Sequence, residues 1–484
     1  MITQAQFEAW LLDSTAQRVV LYEIEVTSGG NPITRYLSDK QYINAPVATP
    51  YSAIVSGSIA VSAKISLSAE ASVSIGALEI DLTAGRQSWF KDVWKNRKIR
   101  MYIGDTRWDR ADFKLYWTGI VGKCAPKDRY TLALSMVDKL QQLNTPISEK
   151  LLGGTTTNKN SLIPLCFGEC HNVTPLMVGP NKYQIHDGPV ENIFEVRDNG
   201  KPVLFTADHE TGTFTLNQKA AGVITCSVQG DKFGGVYRNT ITNIIRRIAT
   251  GFGKLSDRFS NTDLDTANLD SFETANPHPV GIYIKDRTNV IEVCRQLASS
   301  VRAQMVVSRE GLLQLIQINF PTSATTVIKR AHQFDDAPLT LVDLTEPVAA
   351  IKLGYCKNYT VQDNLLTTLP EEHKDLYKKE WLEVVAKNQT VADLYKLNQE
   401  PAQRDTCIIV GTSAQTEANR QLVVEQVARG TYTARLTANH LMLTLGQAVQ
   451  VFADWYDLEN GAFAVVTGVT PDINSFEVNV EVMI

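Results

Sequence analysis

The sequence predicts a mainly β, multidomain protein with α+β inserts, and three observations lead there. From Ser58 to Ile75 apolar and polar residues alternate: Ile59, Val61, Ala63, Ile65, Leu67, Ala69, Ala71, Val73 and Ile75 share one phase, with mostly Ser on the other. A period of two puts one set on one face of a strand, whereas on a helix the same residues would be smeared around the axis. The closing segment repeats the pattern, with Phe476, Val478, Val480, Val482 and Ile484 alternating to the last residue. Finally, 484 residues are too many for one compact core, so three or four domains of about 100–150 residues are expected.

In order along the chain, Thr3 and Gln6 form a capping-box pattern ahead of Phe7, Trp10 and Leu11, which share the face of a short helix. Val19–Val26 and Ile33–Leu37 read as strands around a Gly29–Gly30 turn. The alternating run follows. As one straight strand it would reach on the order of 60 Å at about 3.3 Å per residue; the alternative is two ordinary strands joined by a turn near Ala69–Glu70–Ala71. As a long strand or extended hairpin its apolar face suits a sheet completed with an adjacent protomer, so Ile59, Val61, Ile65, Leu67, Val73 and Ile75 are the candidate interface residues; two ordinary strands would belong to the domain's own core. Gly76 breaks the phase, as a bulge would. A short helix around Gln87–Trp94 and strands at Ile99–Ile103, Phe113–Val121 and Tyr130–Val137 complete a β-rich domain, 1–148.

Lys150–Ser161 has no periodicity and reads as a linker. A β insert domain, 162–235, carries turn signals at Asp187–Gly188, Asn199–Gly200 and Thr211–Gly212. A small α+β domain, 236–335, holds helices at Thr240–Thr250 and Asn289–Val301, a strand at Gly281–Ile284 and a hairpin turning at Arg309–Glu310–Gly311. The last domain, 336–484, is β with a helical insert: an exposed helix over Glu371–Val385, another over Gln415–Arg429 stopped by Gly430, then four strands.

Composition excludes several functions. A net charge of −5 and a pI near 5.9 give no basic face for nucleic acid. No apolar run approaches the roughly 20 residues of a membrane span, and seven scattered cysteines do not form a disulfide framework. No phosphate loop, nucleophile elbow or zinc helix is present. The nearest approach to a metal site is Cys166, Cys170 and His171, which lacks a fourth ligand. Asp263, Asp265 and Asp270 lack the glycine and closing glutamate of a calcium loop. Carboxylate pairs such as Asp454 with Asp457 or Glu169 with Asp187 carry no signature of catalysis, and Trp89, Trp94, Trp108 and Trp117 suit packing better than sugar stacking. The expectation is no enzyme activity, no catalytic residue, no metal and no cofactor.

Two passages resemble tail-tip or baseplate proteins of tailed bacteriophages. The first runs from Ile75–Gly76–Ala77–Leu78 through Trp94–Lys95–Asn96–Arg97 to Ile103–Gly104–Asp105 and Trp117–Thr118–Gly119–Ile120–Val121. The second joins Leu443–Thr444–Leu445–Gly446–Gln447 to Ala464–Val465–Val466–Thr467–Gly468–Val469 and the closing strand, and is similar to the last β-barrel of tail hub proteins. The resemblance implies β-barrel, tube-like domains at both ends and a structural ring that caps the tail tube. It implies a homotrimer, with a hexamer of the distal-tail type as the alternative, in contact with tail-tube, distal-tail and tail-fibre proteins. The protein would be made in the host cytoplasm and reside in the virion tail. A tail-associated hydrolase and a receptor- or glycan-binding protein are the other function classes.

Overall fold

The computed structural model describes every residue except Met1, Gly57, Ser58, Ser68, Ala69, Ala84, Asn364, Leu366 and Gln399. Strand occupies 41% of the chain and helix 21%, so the mainly β class holds. Two compact units are present: Met1–Gln141 with Val306–Thr345 and Arg429–Ile484, and Gln142–Met305 with Glu346–Ala428.

This grouping differs from four consecutive stretches because strands find their partners far away in sequence. Thr326–Ile328, placed above in the α+β stretch, pairs in parallel with Ala448–Val451 near the C-terminus. Leu382–Lys387 pairs with Ala350–Tyr355 in the second unit, apart from the C-terminal strands that surround it in sequence.

The first unit is built on two sheets. One has nine strands, in the order Tyr42–Asn44, Thr49–Ala53, Asn31–Ser38, Arg18–Ser28, Lys98–Asp105, Lys114–Pro126, Thr131–Val137, Ala77–Asp81 and Val55–Ser56. The other runs Thr326–Ile328, Ala448–Val451, Ala462–Asp472, Glu477–Met483, Arg429–Leu436 and Thr340–Thr345. Both sheets feed one core, in which Ile24, Met101 and Leu134 of the first join Val451, Val466 and Val480 of the second. The helix Gln4–Leu12 forms as its capping box dictates and buries Phe7, Trp10 and Leu11. Trp10 reaches across to Phe476, ring centroids 5.9 Å apart.

The motif residues have packing reasons. A Cβ on Gly104 would stand 2.5 Å from the Phe113 ring, and one on Gly119 would run into the Trp117 ring. Asp105 is fully buried and accepts hydrogen bonds from Trp10 Nε1 (3.0 Å), Gln17 N (2.8 Å) and Arg107 Nε (2.6 Å). Burial opposes its ionisation, yet these donors outweigh it and hold the carboxyl well below the usual range. The Gly-Asp turn thus ties the first helix to the end of the sheet's central strand.

Three expectations are corrected. Gly76 is not a bulge within one strand: Ser72–Ile75 belongs to the second sheet and Ala77–Asp81 to the first, so the phase changes where the chain switches sheets. The charged segment is a helix only over Glu371–Lys378, and Leu382–Lys387 is strand because Leu382, Val384 and Ala386 alternate against Ala350–Tyr355. The later helix covers Gly411–Glu425, and Gly430 lies inside the strand Arg429–Leu436.

The second unit holds a five-stranded sheet centred on Ile224–Asp231, a four-stranded one, and a three-stranded sheet under the helix Gly411–Glu425. The helices Ile241–Gly251 and Val290–Ser299 pack together, the second opened by an Asn289/Glu292 capping box. The strand Gly281–Ile284 stands where the sequence places it, and Lys150–Ser161 carries no helix or strand.

Candidate functional site

The alternating run folds as a hairpin of Val61–Lys64 and Ser72–Ile75, with Val61 opposite Ile75 and Ala63 opposite Val73. Ser68 and Ala69, between the two strands in sequence, lie outside the described residues, as does Ser58 at the start of the run. Of the two readings, two strands and a turn is the one formed. The sheet it joins belongs to its own chain: Ala63 and Lys64 pair with Val469 and Gly468. Side chains fasten the junction, with Lys64 Nζ 2.7 Å from Glu481 Oε2 and the Ser62 and Thr470 hydroxyls 2.7 Å apart.

Burial of the six candidate interface residues is uneven. Ile59 and Ile65 are each 1% exposed within the single chain, so their side chains are already enclosed and neither offers a surface to a neighbour. Ile65 packs among Ile316, Ile318, Val465 and Met483. Val61, Leu67, Val73 and Ile75 are half-buried.

Under the hairpin, within the first unit, lies a cavity of about 120 Å³. Val61, Val73, Ile75, Ile316, Leu443 and Val469 supply apolar wall, and Tyr116, Thr118 and Arg309 polar wall together with Asp138, Ser308, Glu310, Gln314 and Thr444. Tyr116 and Thr118 are 2% and 3% exposed, yet among the described residues their hydroxyl oxygens have no hydrogen-bond partner. The Arg309 guanidinium donates to the Leu443 carbonyl and to Met442 Sδ (3.2 Å), and lies 5.3 Å from the Tyr116 ring centroid. Among the described residues it has no ion-pair partner, since the neighbouring Glu310 carboxylate accepts from Ser308 Oγ at 2.8 Å. Burial pushes the Arg309 guanidinium below its ordinary value.

The backbone explains why these groups meet. Thr118 N donates to Arg309 O at 2.7 Å, and Lys139 Nζ donates to Gly311 O at 2.7 Å. Gly311, at φ +83°, lets the turn lie so close that a Cβ there would stand 2.9 Å from Thr118 Cγ2. The sequence carried the turn and the aromatic-Thr-Gly stretch as separate signals, and nothing in it linked them.

Other sequence candidates do not converge. Cys166 and Cys170 point into the core of the second unit, while His171 Nε2 lies 3.1 Å from Glu169 Oε1. Asp265 caps the helix Thr266–Ala275, Asp263 accepts from Ser260 N, and Asp270 pairs with Arg246. Asp187 pairs with Lys150, and Asp454 lies 3.6 Å from Arg330. Trp94 and Trp117 are buried in the core, with Trp89 and Trp108 packed against it. Among the described residues no group of three or more His, Cys, Asp or Glu is placed to hold a metal ion, and no helix is long and apolar enough to cross a membrane.

A titrating pair escaped the sequence reading. His440 Nε2 lies 2.9 Å from His332 Nδ1, which also accepts from Lys329 N at 3.2 Å. Burial, then the adjacent His332, brings His440 down to about 4; burial and Lys329 lower His332 as well. Both values fall on folding, so the pair's contribution is complete above the unfolded histidine value of about 6.5 and is lost as pH drops toward 4. Urea melts between pH 7 and pH 4 should show the first unit losing about 3 kcal/mol through His440, with a flatter profile in His440→Gln. Equal slopes in the two proteins would refute the assignment.

No family model matches the chain, and no curated protein matches it. Among solved structures it is similar to the tail protein from Neisseria meningitidis MC58, with 10% identity, TM-score 0.40 and 96% of each chain covered. It is similar to the 43 kDa tail protein of prophage MuSo2 from Shewanella oneidensis, with 10% identity and TM-score 0.39 over 95% of this chain and 98% of that one. Prophage tail protein gp18 from Listeria monocytogenes EGD-e gives 8% identity and TM-score 0.42 over 95% and 94%. These structures are tail proteins, the group to which the sequence resemblance pointed. At such identities and TM-scores they carry no function over to this chain.

Proposed function

We propose that this protein is a structural, non-enzymatic component of a bacteriophage tail tip, forming a ring that caps the tail tube and joins it to distal-tail or receptor-binding proteins. The observation that carries this reading is the pair of open sheet edges in the first unit. Thr340–Thr345 ends the second sheet with Val342 and Leu344 exposed by 55% and 61%. Tyr42–Asn44 ends the first with Ile43 exposed by 65%. Exposed apolar edge strands are a liability for a monomer and an asset for an assembly whose subunits complete one another's sheets. The ring we propose is a homotrimer, with a hexamer as the alternative. Val61, Leu67, Val73 and Ile75 on the hairpin extend the same interface. Location in the virion tail and synthesis in the host cytoplasm follow from this role.

Light scattering of the purified protein tests it directly: the expected mass is three times the 53.6 kDa of one chain. The double variant Val342→Lys, Leu344→Lys should keep its circular dichroism and fall to the mass of one chain. A wild-type protein that remains a single chain at all concentrations would overturn the ring.

A further inference from the structure

Two turns of the second unit carry apolar side chains that the fold does not enclose. Phe233 and Val236 stand on either side of Gly234–Gly235 and are 55% and 52% exposed, and Leu255, in the loop after the helix Ile241–Gly251, is 79% exposed. One residue joins the two turns. The Arg247 guanidinium, held by Asp231 at 3.0 Å, lies 4.0 Å from the ring centroid of Phe233 and 4.6 Å from that of Phe252, three residues before Leu255. A single exposed apolar side chain is ordinary, but three on turns joined in this way make a patch. The first turn projects: Gly234 and Gly235 have φ of 64° and 77°, and a Cβ on either would meet no atom within 4 Å. Cations stand at the base of each turn. Arg238 donates to the carbonyls of Phe233 (3.1 Å) and Val236 (2.9 Å), and Arg258 donates to the Gly253 carbonyl at 2.9 Å. With Lys254 beside Leu255, and Lys232, which pairs with Glu191, residues 232–238 and 252–258 hold four cations against one anion, Asp257, in a chain whose net charge is −5.

We infer that this pair of turns is a docking surface for an anionic lipid bilayer, with Phe233, Val236 and Leu255 entering the headgroup layer and Arg238, Lys254 and Arg258 meeting lipid phosphates. Charge complementarity chooses the occupant. Cations set behind apolar tips match a bilayer, whose anionic headgroups lie outside its apolar interior. A bilayer also receives projecting turns without a preformed groove. The inference does not rest on the proposed ring, because a single chain presents both turns.

Co-sedimentation of the full chain with vesicles tests it. At ~0.1 M NaCl, vesicles of phosphatidylglycerol and phosphatidylcholine in equal parts should bind about tenfold more tightly than vesicles of phosphatidylcholine alone, and the preference should vanish at ~1 M NaCl. Leu255 is so exposed that Leu255→Ser should keep its circular dichroism while weakening binding about three- to tenfold. Val236→Ser combined with Leu255→Ser should abolish binding. Leu255→Trp reports insertion: the fluorescence it adds to the wild-type spectrum should move to shorter wavelength on the mixed vesicles. No binding, equal binding to the two kinds of vesicle, or an unmoved Leu255→Trp spectrum would overturn the inference. So would a Val236→Ser, Leu255→Ser variant that binds vesicles as the wild type does but falls to a lower mass in light scattering, which would make the turns a contact between copies of this chain.

Discussion

Ending the chain at Ser475 is expected to abolish folding of the first unit. The lost strand, Glu477–Met483, lies between Ala462–Asp472 and Arg429–Leu436, so its removal opens two ladders at once. With it go Phe476, Val478, Val480, Val482 and Met483, each at most 5% exposed. At about 1.5–3 kcal/mol for each buried apolar side chain, the loss is comparable to the whole stability of an ordinary domain, about 5–15 kcal/mol. Glu481, the partner of Lys64 and Thr467, is lost as well. Phe476 takes a left-handed backbone at φ 57° in the turn before the strand, which lets its ring meet Trp10, so the first helix should come loose too. Near-ultraviolet circular dichroism and protease resistance of residues 1–141 report the outcome. A protein ending at Ser475 that melts cooperatively like the full chain would refute the central position of this strand.

Ile65→Asp is expected to act on folding before assembly. Ile65 N donates to Thr467 O at 2.7 Å, and the side chain is enclosed by Ile316, Ile318, Val465 and Met483. A carboxylate among these apolar side chains must stay protonated or push the hairpin off the sheet. Either course costs about 3–5 kcal/mol. Ile65→Val, which removes one methyl group, should cost only about 0.5–1.5 kcal/mol. Denaturant melts of the isolated chain measure both. Should Ile65→Asp melt within about 1 kcal/mol of wild type and still fail to form rings, the side chain would sit at a protomer interface after all.

Much local structure was legible because its causes are local. Thr3 with Gln6, and Asn289 with Glu292, each satisfy free N–H groups at a helix start within a few residues. Gly29 and Gly30 supply the positive φ of the first hairpin, at 56° and 87°, with no help from elsewhere. Over 371–385 charge density suggests helix throughout, whereas alternation within Leu382–Lys387 decides for strand once Ala350–Tyr355 lies beside it. Of the candidate site, the sequence held the hairpin and the Arg309–Glu310–Gly311 turn, but their meeting with Tyr116 and Thr118 arises from chain packing.

The residue pattern alone establishes a mainly β protein, the place of most strands and caps, and which side chains of the alternating run share a face. Long-range packing settles that the run joins the sheet of its own chain, that Gly76 marks a change of sheet, and that Ile65 is enclosed while Val342 and Leu344 are exposed. The reason lies in the strand itself. A period of two sets the direction of every side chain, but the backbone edge offers the same donors and acceptors to any neighbour, so the partner is chosen by what the rest of the chain brings alongside.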